Sequence, residues 1–165
     1  MPTHTVYLSL GSNLGDRAAH LYRALARLTE EGLRIVRKSS LYLTEPVEFT
    51  SQGWFLNLAV EAETSLMPRQ LLHLIQRIER ELGRRRMVRS GPRPLDMDIL
   101  IYGTSIVRTA ELEIPHPRMA QRRFVLVPMA ELAPTLRHPV LQLTMLELLA
   151  STPDRSQVRP YHLSV

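Results

Sequence analysis

Apolar and polar positions alternate, cluster and alternate again along this chain in a way that predicts its elements. Positions 5–10 (Thr-Val-Tyr-Leu-Ser-Leu) read as a first strand, followed by a turn over 11–16. The period then changes to that of a helix reaching about residue 29, with Leu21, Ala24, Leu25 and Leu28 on one face. Asp16 is placed to cap its start and Gly32 to stop its end. Positions 33–43 are strand-like, 44–53 carry the Pro, Glu and Gly of a long loop, and 55–61 alternate again as a strand. A second helix runs from Pro68 to about residue 82 with Leu71, Leu74, Ile75, Ile78 and Leu82 as its stripe, and Gly83 ends it. An arginine-rich loop leads into an apolar strand over 96–102.

That order, β-α-β-β-α-β, predicts an α+β fold of the ferredoxin-like kind, a sheet with two helices on one face. A further hairpin is expected over 101–107, then a helix over 123–132 and a short one over 144–150. The tail after Pro153 has little periodicity and reads as loosely held. No repeat or linker divides the 165 residues, so the expectation is one catalytic domain over 1–165, with a core over about 4–135 and an extension over 136–165.

Within the last strand of that core, two carboxylates interrupt the apolar pattern. Side chains at i and i+2 of a strand share a face, roughly 6–7 Å apart. Met97, Ile99 and Ile101 are expected on one face, and Asp96 and Asp98 together on the other. Like charges this close repel unless cations sit between them. Upstream lie Arg84, Arg85, Arg86, Arg89 and Arg93. An acidic pair beside a guanidinium cluster suits a polyphosphate handled with Mg²⁺; a solvated strand end beside a solvated loop is the plainer alternative.

Composition narrows the classes. A hydrophobic share of 44% fits a globular protein and excludes wholesale disorder. The first ten residues lack a signal-peptide pattern, no apolar run reaches membrane-spanning length, and cysteine is absent, which together favour the cytoplasm. A net charge of +5 invites nucleic acid. However, Lys38 is the only lysine among the 21 basic residues, and arginine serves the phosphates of ATP equally well. An RNA-recognition module shares the element order, but it needs clustered exposed aromatics, and aromatic content here is 5%. A metal-dependent nuclease or nucleotidyltransferase would also use the paired aspartates and the arginines. A non-catalytic small-molecule binder is the remaining alternative.

Several segments resemble, in order, the hydroxymethyldihydropterin pyrophosphokinase (HPPK) family of folate biosynthesis. They are Leu10-Gly11-Ser12-Asn13-Leu14-Gly15-Asp16, Phe55-Leu56-Asn57, Gln76-Arg77-Ile78-Glu79, Gly83-Arg84 and Gly91-Pro92-Arg93-Pro94-Leu95-Asp96-Met97-Asp98, then Pro115-His116 and Arg122-Arg123-Phe124. The resemblance implies transfer of pyrophosphate from ATP to the hydroxymethyl group of 6-hydroxymethyl-7,8-dihydropterin, with AMP as the other product. It implies that Asp96 and Asp98 bind two Mg²⁺ ions, and it does not divide metal binding from proton removal at Asp98. Arg84 and Arg93 would act with the aspartates in catalysis and clamp phosphates. Gln76, Glu79, Ile99, His116 and Arg122 would complete the ATP site, although Glu79 alone reads as a helix-surface charge.

For the pterin, the resemblance implies stacking between Phe55 and Phe124, with Asn13, Thr44, Val47 and Asn57 at its edge. The partners implied are small molecules, with no nucleic acid, membrane or obligatory protein. The Gly11–Asp16 turn lacks the Lys and spacing of a P-loop and reads as an ordinary strand-to-helix turn. Four positions depart from the family pattern. Ser90 stands where a Trp is usual, Glu111 and Glu113 where an Arg and a Thr are found, and Pro117 where an aromatic is common. The arginine loop also reads about one residue shorter.

Overall fold

The computed structural model of the chain describes residues 2–46, 53–83 and 94–162. Its strands are β1 (His4–Ser12), β2 (Arg34–Lys38), β3 (Tyr42–Thr44), β4 (Phe55–Thr64), β5 (Asp96–Tyr102), β6 (Val107–Arg108), β7 (Glu113–Ile114) and β8 (Val158–Pro160). Its helices are α1 (Arg17–Glu30), α2 (Pro68–Glu81), α3 (Arg123–Leu132) and α4 (Met145–Ser151). The main sheet runs β5-β1-β4-β3-β8, with β2 also on β4, and every neighbouring pair is antiparallel. Two β-α-β crossovers joined this way give the ferredoxin-like arrangement, with β1 and β4 at its centre.

The helices form where the pattern placed them. Asp16 accepts a hydrogen bond from the Ala19 amide at 3.1 Å and caps α1, a contact worth about 1 kcal/mol. Gly32 takes the left-handed conformation (φ +99°) that lets the chain turn back. Leu21, Leu28, Leu71 and Ile78 are fully buried on the helix stripes against Leu8, Leu10, Leu58 and Met97 of the sheet. Each such side chain contributes roughly 1.5–3 kcal/mol over exposure, which outweighs intrinsic helix propensity.

The opposite sheet face carries a second apolar cluster, in which α3 and α4 bring Val125, Leu126, Met129 and Leu148 onto Ala59 and Leu100. The rest of that face stays more polar and holds the candidate site.

The structure departs from the sequence expectations at five places. The strand expected over 33–43 is split into β2 and β3. At the break Ser39 bonds Ala59 through both its amide and its hydroxyl, each at 2.9 Å, instead of continuing the ladder. β1 continues through Gly11 to Ser12, so the turn begins later than residue 11. Ile101 does not share a face with Met97 and Ile99. Ile99 pairs with Leu8 and Ile101 with Tyr7, which leaves Leu100 bulged, and Leu100 and Ile101 both join the cluster under α3. The hairpin lies downstream of 101–107, because β6 pairs with β7 rather than with β5. The tail is held: β8 pairs with β3, and the Tyr161 amide donates to the Leu41 carbonyl at 2.9 Å.

Candidate active site

The register of β5, β1 and β4 assembles the site. Asp96 of β5 lies opposite Gly11 of β1, which lies opposite Asn57 of β4, and one step along, Asp98 lies opposite Ser9. Cross-strand partners share a face, and neighbouring strands stand about 4.8 Å apart. A carboxylate pair and a carboxamide are therefore set about 10 Å apart on one surface, with a glycine between them.

Gly11 is the residue that sequence reasoning missed. A Cβ there would lie 2.3 Å from Asn57 Oδ1 and 3.4 Å from Phe55 Cδ1, so only glycine leaves both side chains where they are. A glycine inside a strand pattern is the signal of such a close approach, and it was legible once β1 was read to Ser12.

His116 approaches the acid pair from the segment after β7. Its amide donates to the carbonyl of the bulged Leu100 at 2.9 Å. Its Nδ1 accepts from the Arg118 amide at 3.1 Å, so Nε2 carries the proton, 3.9 Å from Asp98 Oδ1. Burial pushes the imidazole pKa down to about 4, helped by the nearby Arg122 and Arg118 cations and opposed by Asp96. At neutral pH it is an uncharged N–H donor, too far from Asp98 for a direct hydrogen bond. Asp98, Ile99 and His116 line a cleft of about 250 Å³, whose outer wall includes Glu111 and Glu113. Glu111 is tied to α2 by His73 at 2.6 Å and Arg69 at 3.4 Å.

Glu79 is no surface charge. It is 5% exposed, and its Oε2 accepts from the Met97 amide at 2.8 Å, the peptide that joins the two site aspartates to one strand. Gln76 lies exposed one turn earlier on α2.

On the other side of Gly11, Asn57 Nδ2 donates to Thr44 Oγ1 at 2.6 Å, and both residues are buried. This leaves the carboxamide oxygen of Asn57 turned toward Gly11. Phe55 is half-buried, and Phe124, at the start of α3, is half-buried with the Arg122 guanidinium 5.5 Å from its ring centroid. Asn13 is buried and donates to the Gly53 carbonyl at 3.3 Å. Of the residues expected at the site, Arg84, Arg93 and Val47, together with the departure at Ser90, lie outside the described residues.

The family model for 7,8-dihydro-6-hydroxymethylpterin-pyrophosphokinase (HPPK) matches residues 7–134. The chain belongs to this family. It is 51% identical over 127 residues to the 2-amino-4-hydroxy-6-hydroxymethyldihydropteridine pyrophosphokinase of Bacillus subtilis, 76% of each chain. It is 43% identical over 136 residues to the protein of that name from Aquifex aeolicus, 82% of this chain and 84% of that one.

Among solved structures, the wild-type HPPK-DHPS of Plasmodium falciparum with pteroate superposes with a TM-score of 0.73 at 17% identity. That match covers 90% of this chain and 44% of the other, and at this identity it bears on the fold alone. The HPPK family match spans β1 through α3, and therefore every site residue above. Among the described residues no helix is long and apolar enough to cross a membrane.

Proposed function

We propose that the surface from Asp96 and Asp98 across Gly11 to Asn57 is where this pyrophosphokinase transfers the β,γ-pyrophosphoryl group of ATP to 6-hydroxymethyl-7,8-dihydropterin. The pterin hydroxymethyl oxygen attacks the β-phosphorus, the bond from that phosphorus to the α,β-bridging oxygen breaks, and AMP leaves. The hydroxyl proton is lost to solvent or to Asp98. The observation that carries this reading is the sheet register, which sets an acidic pair and the Asn57 carboxamide at the two ends of one row.

Asp96 and Asp98 suit Mg²⁺, an ion that takes one or two carboxylates and completes its shell with water and substrate phosphates. Two bound Mg²⁺ ions would supply charge neutralisation on the triphosphate. The remaining work falls to the chain's own residues. His116, neutral, donates from Nε2 to a phosphate oxygen, and Arg122 with Arg84 and Arg93 offers planar guanidinium forks to the others. Ile99 and Gln76 border the nucleotide, and Glu79 holds the strand that carries the acids.

Phe55 and Phe124 stack on the two faces of the pterin, each worth roughly 1 kcal/mol beyond burial. Asn57, Thr44, Asn13 and Val47 read its edge through amide and backbone groups. We read the reaction as cytoplasmic and as needing no obligatory protein partner.

The test is product analysis. Purified protein with ATP, Mg²⁺ and 6-hydroxymethyl-7,8-dihydropterin is expected to yield AMP and not ADP, and only when the pterin is present. ADP, or AMP formed without pterin, would overturn the reading.

A further inference from the structure

Helix α3 begins in an unusual way. Its N-cap position is Arg122, whose side chain makes no cap hydrogen bond and has no acceptor atom with which to make one. The cap comes instead from 31 residues further on: Asp154 Oδ2 accepts from the Arg123 amide at 2.8 Å. Asp154 is itself fixed by its own tail, since Oδ1 accepts from the Ser156 amide at 2.9 Å and also from the Ser156 hydroxyl. The Arg123 Nε returns a bond to the Ser156 carbonyl at 3.0 Å. A carboxylate is the favoured group at a helix N-terminus, so the tail supplies what an arginine at the cap cannot.

The same segment then reaches the opposite wall. The Gln157 carbonyl accepts from the Glu45 amide at 3.1 Å, and the Gln157 amide donates to Glu45 Oε1 at 2.7 Å. Val158 pairs with Thr44, and the Arg159 guanidinium sits 5.5 Å from the centroid of Trp54, the neighbour of Phe55. Six residues thus reach three places that carry pterin-side residues: the α3 start before Phe124, the end of β3 at Thr44, and Trp54 beside Phe55 at the start of β4. All six lie beyond the stretch matched by the family model, which ends at residue 134.

We propose that segment 154–159, through Asp154, is a positioning strap for the pterin half of the site. It releases the cap position of α3 to an arginine and fixes Phe124 at a set distance from Phe55 and Thr44. This rests on the function proposed above. Asp154 is a positioning residue, because it reaches the substrate only through Arg123 and Phe124.

The deciding measurement is the split between the two substrates. Asp154→Ala is expected to raise the pterin KM and the pterin Kd by about five- to tenfold, the usual scale of a lost cap, while the ATP KM, which feels the change only through Arg122, rises by no more than about two- to threefold. Asp154→Asn keeps one acceptor oxygen in place and should fall between. Arg159→Ala, on an exposed residue that cannot unfold the core, should raise the pterin KM by about two- to threefold, the scale of one exposed cation–π contact.

An unchanged pterin KM in folded Asp154→Ala overturns the strap, as does an equal rise in both KM values, which a general loosening would give. Should that variant not fold, Asp154→Asn and Arg159→Ala decide by the same criterion. Wild-type protein that binds pterin but forms no pterin-dependent AMP overturns the function reading alone, and the variants' pterin Kd still judges the strap. Wild-type protein that does not bind pterin overturns both.

Discussion

The two faces of the sheet are built from alternate residues of the same strands, yet they do different work. Leu8, Leu10, Leu56 and Leu58 point toward α1 and α2 and are almost wholly buried. Their immediate neighbours Ser9, Gly11, Asn57 and Ala59 point the other way, toward the acids and α3. One face is closed by two helices with continuous apolar stripes. The other is closed only where α3 and α4 lie, and beyond them it carries Asp96, Asp98 and Asn57. Because strand parity separates the two roles, stability and chemistry can be altered one residue apart with little exchange between them.

The sharpest break in this comparison comes from the chemical face. Asp98→Asn is expected to cut turnover by at least about 10³-fold, since it removes several kcal/mol of charge stabilisation at the phosphates. The melting temperature should not fall; a normal rate in a folded variant would remove Asp98 from the reaction. Leu58→Ala, next to Asn57 but on the packed face, should cost about 2–5 kcal/mol of stability in a denaturant titration. Both KM values should stay near wild type per folded molecule, and a large pterin KM change would mean that the faces are coupled.

Phe124→Ala should raise the pterin Kd by about tenfold through lost stacking and burial, measured by fluorescence titration, with the ATP KM little changed. Unaltered pterin affinity would make Phe124 part of the α3 packing only. The smallest change is Gly11→Ala, whose Cβ would meet Asn57 Oδ1 at 2.3 Å. It should displace the carboxamide and weaken pterin binding by about three- to tenfold, about one hydrogen bond, while Asp96 across the strand keeps metal-dependent ATP binding.

Much of the packed face was legible in the sequence, because helix stripes and strand alternation are local and periodic. The Asp16 cap, the Gly32 stop and the bounds of α3 followed from residues a few positions apart. What escaped depends on partners far along the chain. Glu79 reads as a surface charge on its helix, and only the approach of β5 turns it into the acceptor for the Met97 amide. β8 is three residues, Val-Arg-Pro, on a sheet edge, too short and too polar to announce itself. The Asp154 cap joins residues 31 apart. In the site, Asp96 and Asp98 stood out by type and spacing, and Phe124 only through the family resemblance. Gly11 did not, because its contribution is the absence of a side chain between two others.

The bulge at Leu100 changes the phase of β5. Before it, odd-numbered residues pack toward α2 and even-numbered ones face the opposite side; after it, Tyr102 faces the helices and Ile101 the opposite side. The strand therefore carries two independent settings, one for the acids and one for the anchor at its far end, where the Tyr102 hydroxyl donates to the Leu66 carbonyl. Were Leu100 paired in a regular ladder instead, the strand would keep a single setting, and either the aspartates would turn into the leucine layer or Tyr102 would leave it. A one-residue irregularity in this strand is thus what lets the acid pair and the Tyr102 anchor each take the face it needs.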